Sequence, residues 1–290
     1  MNSFLSPILS IYYEPNIIHN TYYNVTKFNT KRAKKVITVH DMVHESFPDH
    51  FSKKDNTTEL KKFAIAEADH VICVSKNTQK DLIKFFNVDI KKTSVIYHGF
   101  SLRTTEIKEL KEIRRPYLLY VGSRIGYKNF TRFLEAYSNY KIKNFFDLVI
   151  FGGNKLSNKE ISLLNKLQIS KENFKQVDGD DSILASYYKH ASLFVYPSLY
   201  EGFGIPPLEA MNYGCPVVCS NTGSIPEIVG DAAFLFDPYS VESIKNNIIS
   251  VLYDNKLRSL LRLKGFEQVK KFSWEKCAKE TYKVYEELLK

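Results

Sequence analysis

Apolar and polar positions alternate along this chain on two length scales. Short β-branched or aromatic runs stand at 36–39, 71–74, 94–97, 117–121, 147–151, 193–196, 217–219 and 233–236, with a weaker one at 16–19. Between them, at 58–68, 77–86, 129–140, 158–167, 182–190 and 239–253, apolar residues recur at helical spacing. Near-continuous apolar strands joined by helices predict parallel sheets covered on both faces, hence an α/β protein. The segment 273–290 reads as a further helix with Ser273 as its N-cap. Lys276 at its third position leaves a capping box incomplete. Trp274, Cys277, Ala278, Thr281, Tyr282, Tyr285, Leu288 and Leu289 give this helix a broad apolar stripe. A terminal helix carrying the one tryptophan of the chain is expected to dock firmly.

The strand signal stops over 100–115, a charged stretch that reads as a linker. The chain therefore divides into domains at 1–110 and 111–272, followed by the helix at 273–290. The second half carries about five strand signals, enough for a doubly wound sheet, and the first about four. Ordinary contents of hydrophobic (44%) and charged (25%) residues in 290 positions exclude disorder and a disulfide-held miniprotein. No apolar run reaches the ~18 residues of a membrane-spanning helix. The apolar start at 1–13 has no leading cation and contains Pro7, which makes it a poor signal peptide and predicts a cytoplasmic protein. Cys73 and Cys219 sit inside apolar runs and read as small buried hydrophobes, and no Cys/His cluster has the spacing of a metal site.

The net charge of +9, concentrated in the first half, fits an anionic lipid surface, nucleic acid or a phosphorylated substrate, or plain solvated surface. Nucleic acid is disfavoured because no motif interleaves aromatic and basic residues.

Chemistry concentrates at Tyr196-Pro-Ser-Leu-Tyr-Glu-Gly-Phe-Gly-Ile-Pro-Pro-Leu-Glu-Ala-Met211. A strand ends, a glycine-rich loop follows, and a proline pair opens a helix. Gly202 and Gly204 let the backbone approach a ligand, and the amides of Phe203, Gly204 and Ile205 beside a helix N-terminus suit a phosphate. Glu201 and Glu209 are fitted to accept hydrogen bonds from sugar or ribose hydroxyls. The competing reading is a tight turn with two solvated glutamates.

The spacing Glu201…Glu209 resembles the E-x7-E motif of retaining GT-B glycosyltransferases of family 4. The resemblance continues through Cys215-Pro-Val-Val-Cys-Ser-Asn-Thr-Gly-Ser-Ile-Pro-Glu-Ile-Val-Gly-Asp-Ala-Ala233, Tyr120-Val-Gly-Ser-Arg-Ile-Gly-Tyr-Lys-Asn-Phe130, Val39-His-Asp41 and Val74-Ser-Lys-Asn-Thr78. It implies a GT-B fold of two Rossmann-like domains with parallel sheets, the first on the acceptor side and the second binding the nucleotide sugar, with the helix at 273–290 crossing back to the N-terminal domain. It also implies a metal-independent retaining hexosyltransferase with no cofactor, similar to bacterial surface-polysaccharide (O-antigen) mannosyltransferases. GDP-mannose is the preferred donor and a UDP-sugar the next. The acceptor is a glycan or lipid-linked sugar, which allows peripheral contact with the inner face of the cell membrane. By the same resemblance Glu201 contacts donor-sugar hydroxyls, Glu209 the ribose, and Arg124 and Lys128 the diphosphate, beside Gly122. His40 would reach toward the donor across the interdomain cleft and support activity; a capped loop histidine, or a metal pair with His44, are the other readings. His98 stands where the family often has asparagine, while Gly152, Gly153 and the 177–180 segment are further candidates for the nucleotide pocket.

The family's first strand and glycine-rich loop have no counterpart before residue 16, so the N-terminal domain reads as abbreviated. A sheet short of strands predicts a homo-oligomer or a partner chain at the exposed edge. It also keeps open a non-catalytic or partner-dependent subunit that binds the nucleotide sugar.

Overall fold

A computed structural model describes residues 14–23, 32–100, 104, 106–110 and 112–290. The apolar start at 1–13 and part of the linker, 101–103, 105 and 111, lie outside the described residues. The chain forms two compact units, Met1–Gly99 with Ser273–Lys290, and Phe100–Phe272.

In the first unit, β1 (Ile17–Asn20), β2 (Lys34–Val39), β3 (His70–Cys73) and β4 (Thr93–Val95) pair in parallel in that order. β-Branched residues suit these strands because their stiff side chains pack on a pleated surface. Val36, Ile72 and Ile96 form a core with Val284 of the helix Trp274–Leu288, flanked by Ile17, Cys277, Tyr285 and Leu288. Ser273 caps that helix by accepting the Lys276 amide at 3.1 Å. The helix packs at its start, against Gly99, and along its later turns. Trp274 is 41% exposed, while Val284 is buried in the core.

The second unit holds β5 (Tyr117–Val121), β6 (Asp147–Phe151), β7 (Phe174–Val177), β8 (Leu193–Tyr196), β9 (Val217–Ser220) and β10 (Phe234–Phe236). All are parallel, in the order β10-β9-β8-β5-β6-β7. The chain winds outward from β5 to β7, then returns to β8 on the other side of β5. In doubly wound sheets the crevice at the carboxyl ends of such a pair receives ligands.

Three elements differ from the sequence reading. β7 is an edge strand, Phe-Lys-Gln-Val, half-buried throughout, so it lacks an apolar run. The helix Asn255–Val269 buries Leu261 and Val269 but exposes Leu260, Leu263 and Phe266, so its apolar residues mark no single stripe. The segment read as one helix over 129–140 begins at Phe130 and ends at Tyr137; Asn139 then caps the short helix Tyr140–Lys143. Cys73 and Cys219 are fully buried.

Candidate functional site

β8 ends at Tyr196, and the loop that follows runs into the helix Ile205–Asn212. Gly204, the N-cap, has φ +99°, a left-handed backbone that favours glycine. Pro206 and Pro207 fit the first turn, where no amide proton is needed for the helix. The loop is braced from behind: Ser224 Oγ lies 2.9 Å from the Glu201 carbonyl and 2.8 Å from that of Phe203. Phe203 itself is buried edge-on against Phe272. The loop thus holds Glu201, Gly202 and the helix N-terminus at Gly204 and Ile205 on a braced backbone.

β5 ends beside it. Gly122 has φ +118°, and a Cβ there would meet no atom within 4 Å, so the backbone demands glycine while the space above it is open. A short turn, Gly126–Lys128, leads to Asn129, which takes the left-handed conformation (φ 59°). The buried Asn129 amide donates to the carbonyls of Pro197 (3.0 Å) and Pro238 (2.7 Å), and the Leu199 amide donates to the Tyr127 carbonyl at 2.8 Å. These bonds lock the β5 and β8 loops together.

Across that junction Lys128 Nζ contacts both carboxylate oxygens of Glu201, at 2.7 and 3.0 Å. Their side chains are 19% and 12% exposed. The Tyr196 hydroxyl is hydrogen-bonded to Glu201, and burial together with that carboxylate pushes its pKa far up. An ammonium and a carboxylate at a switch point are matched to a ligand that is anionic at one end and hydroxylated at the other.

Arg124 is placed differently. Its Nε donates to Glu160 at 2.5 Å, and its terminal nitrogens reach the carbonyls of Asn154 and, at 3.4 Å, Gly152. Its side chain is buried. A Cβ at Gly153 would lie 2.7 Å from Arg124, so this glycine makes room for the guanidinium. Glu160 closes a capping box with Ser157, and the Ser157 and Arg124 hydrogen bonds hold its carboxyl below the usual range despite the opposing burial.

Glu209 accepts from the Tyr188 hydroxyl at 3.1 Å. Burial raises its pKa, and the Tyr188 bond opposes that rise. Asp180 caps the helix Asp181–His190, its carboxylate accepting the amides of Ser182 and Ile183, both at 3.0 Å.

In the first unit, His40 follows β2. Its Nε2 lies 2.7 Å from the Thr21 carbonyl, its Nδ1 3.3 Å from His98 Nε2, and its amide donates to the Tyr23 hydroxyl at 3.1 Å. Next to it the fully buried Lys61 donates to the Asp41 carbonyl (2.9 Å) and to Glu45 (2.7 Å). His44 stacks on Phe51 and lies 3.6 Å from Asp55. Among the described residues no group of three His, Cys, Asp or Glu side chains is placed to hold a metal ion.

Of the charged candidates, the structure joins Lys128 to Glu201 directly, while Arg124 pairs with Glu160 and Glu209 with Tyr188. Glu160, Ser224, Asn129 and Tyr196 emerge only here as supports. Ser157-x-x-Glu160 carried a capping-box signal; the others carried none.

A family model described as glycosyl transferases group 1 matches residues 103–268, and one for glycosyltransferase family 4 matches residues 5–104. The O-antigen chain mannosyltransferase B of Escherichia coli is 31% identical over 87% of this chain and 70% of its own length. The O-antigen chain mannosyltransferase RfbU of Salmonella typhimurium is 30% identical over 75% of this chain and 60% of its own. The chain thus spans about 60 to 70% of the length of these relatives. Among solved structures, the fold is similar to sucrose-phosphate synthase from Thermosynechococcus elongatus (TM-score 0.79, 21% identity, 99% of this chain and 77% of that one). It is also similar to Anabaena HepE in complex with UDP-glucose (TM-score 0.78, 17% identity, 98% and 82%). At these identities the likeness is one of fold.

Proposed function

The chain belongs to the glycosyl transferases of group 1, and from that premise we propose that it moves a hexose from a nucleoside diphosphate to a hydroxyl of a glycan or lipid-linked acceptor, with retention of anomeric configuration. Its architecture is GT-B, two Rossmann-like α/β units with the smaller sheet first. The observation that carries the reading is the Lys128–Glu201 pair at the β5/β8 switch point. In this reading the diphosphate takes Lys128 and the helix N-terminus at Gly204, while Glu201, released from its lysine, accepts donor-sugar hydroxyls. Charge building on the departing diphosphate then meets a preorganised cation and backbone amides, which is the main electrostatic demand of the transfer. Gly122 leaves open space, Glu209 accepts from ribose hydroxyls, and Arg124, fixed by Glu160, offers its remaining N–H groups to the phosphates. His40 supports activity from the first unit.

Mannose is the sugar we favour, supported by the names of the two O-antigen relatives; GDP-mannose is the donor to test first and UDP-sugars next. Surface-polysaccharide assembly on a lipid carrier would bring the protein to the inner face of the membrane. Among the described residues no helix is long and apolar enough to cross one. A panel of GDP-, UDP- and dTDP-sugars tests the donor by thermal unfolding. At ~100 times its dissociation constant the true donor adds about 2.7 kcal/mol. No stabilisation by any of them refutes the reading.

A second reading, a subunit that binds the nucleotide sugar without transferring it, is favoured by the four-stranded sheet of the first unit against six in the second, among the described residues. Donor turnover by the chain alone, lost on Glu201→Ala, excludes it.

A further inference from the structure

His98 is half-buried in the first unit, with the rings of His40 and Trp274 each at 5.4 Å from its own. Gly99 beside it packs so closely that a Cβ would lie 2.2 Å from the Trp274 amide nitrogen. The start of the helix Trp274–Leu288 therefore presses on the 98–99 backbone, and His98 in turn faces His40.

The partners of His40 decide its proton. The Thr21 carbonyl, 2.7 Å from Nε2, can only accept, so Nε2 carries the hydrogen. In the neutral ring Nδ1 is then an acceptor, and the group 3.3 Å from it is His98 Nε2. Burial, with His40 nearby, pushes His98 down to about 4, so at neutral pH His98 holds a single proton.

We propose that His98 is a positioning residue: its Nε2–H donates to His40 Nδ1 and, with the Thr21 carbonyl on the other side, fixes the tautomer and ring plane of His40. The C-terminal helix holds His98 in place through Trp274. This deepens the reading of His40 as a residue of the transfer reaction and rests on it for its kinetic consequence; the tautomer stands on geometry alone.

Long-range proton–nitrogen correlation spectra of the full chain test it at neutral pH, with His40 assigned by the signals that vanish in His40→Gln. The wild-type protein is expected to show His40 as the Nε2–H tautomer with Nδ1 shifted as a hydrogen-bond acceptor. His98→Phe keeps a ring beside His40 and Trp274 but removes the donor, so the Nδ1 resonance should move to the position of an unbonded nitrogen. His98→Gln, which restores an N–H, should return it. An Nδ1–H tautomer in the wild-type spectrum overturns the proposal, and that measurement needs no variant at position 98. An unchanged His40 pattern in folded His98→Phe overturns it too. In a transfer assay, His98→Phe should lower kcat roughly 10- to 100-fold at constant donor KM, the cost of a misplaced catalytic ring. It should add no further loss to His40→Ala; full additivity would indicate a purely structural role and overturn the proposal. If His40→Ala leaves turnover intact, the assignment of His40 to the reaction fails, while the tautomer measurement still decides the role of His98.

Discussion

The Lys128–Glu201 pair offers a measurable energy. Its two contacts, 2.7 and 3.0 Å, are charge-assisted, and the side chains are 19% and 12% exposed. Such a pair exceeds the 0 to ~1 kcal/mol of solvated ion pairs and falls short of the ~3–5 kcal/mol lost when a fully buried pair is broken. A double-mutant cycle of Lys128→Met and Glu201→Gln should therefore give a coupling of about 1–2 kcal/mol in urea unfolding without ligand. Lys128→Met alone should cost somewhat more, because Glu201 keeps its charge and loses its cation. In thermal scans each kcal/mol appears as a fall of roughly 2–4 °C for a unit of this size. The cycle is then repeated with saturating nucleoside diphosphate. If the phosphate takes Lys128, the coupling should fall by at least half. A coupling below ~0.5 kcal/mol without ligand means that the pair does not form in solution. A coupling that ligand leaves unchanged means that the diphosphate binds elsewhere.

Other expectations follow from the same geometry. Ser224→Ala removes the brace behind Glu201 and Phe203 and should cost about 1 kcal/mol in urea unfolding while raising donor KM more than it lowers kcat. Gly204→Ala forces a side chain onto a backbone with φ +99° and should cost ~1–2 kcal/mol in thermal unfolding, with weaker donor binding by calorimetry. Val284→Ala, in the core of the first unit, should destabilise by ~2 kcal/mol, measured by hydrogen exchange in β2 and β3, with little change in the second unit. Glu209 has a raised pKa, so the stability it contributes is fully present below its ordinary value of 4.5 and is lost as pH rises through the folded-state value. Glu209→Gln should consequently gain on the wild type in urea unfolding as pH rises from 4 toward 7; a constant difference across that range would refute a buried carboxyl.

Much of the architecture was legible in local pattern. The β2, β3, β5, β6, β8 and β9 runs stand out because central parallel strands are apolar on both faces. β7 does not, because an edge strand can carry lysine and glutamine at no cost in burial. The helix Asn255–Val269 escaped for a similar reason, since leucines on both faces erase the periodicity. Ser273 was readable as a cap because capping is decided within four residues. Which turn of its helix meets the core was not readable, because the contact of Val284 with Val36, Ile72 and Ile96 depends on strands far away in the chain.

At the site, the chain by itself determined which residue types follow which strand: Gly122 and Lys128 after β5, Glu201, Gly202 and Gly204 after β8, His40 after β2. That follows from local rules, since the positive φ of Gly122 and Gly204 favours glycine and a helix tolerates proline in its first turn. Tertiary structure alone decided who faces whom. Lys128 and Glu201 are 73 positions apart yet share a bond, Arg124 is claimed by Glu160, and His98 meets both His40 and Trp274. Pairings of this kind depend on strand order and on the return of the last helix, and a sheet can be wound from the same local elements in more than one order. Only the burial of the assembled core selects the one that brings these charges together.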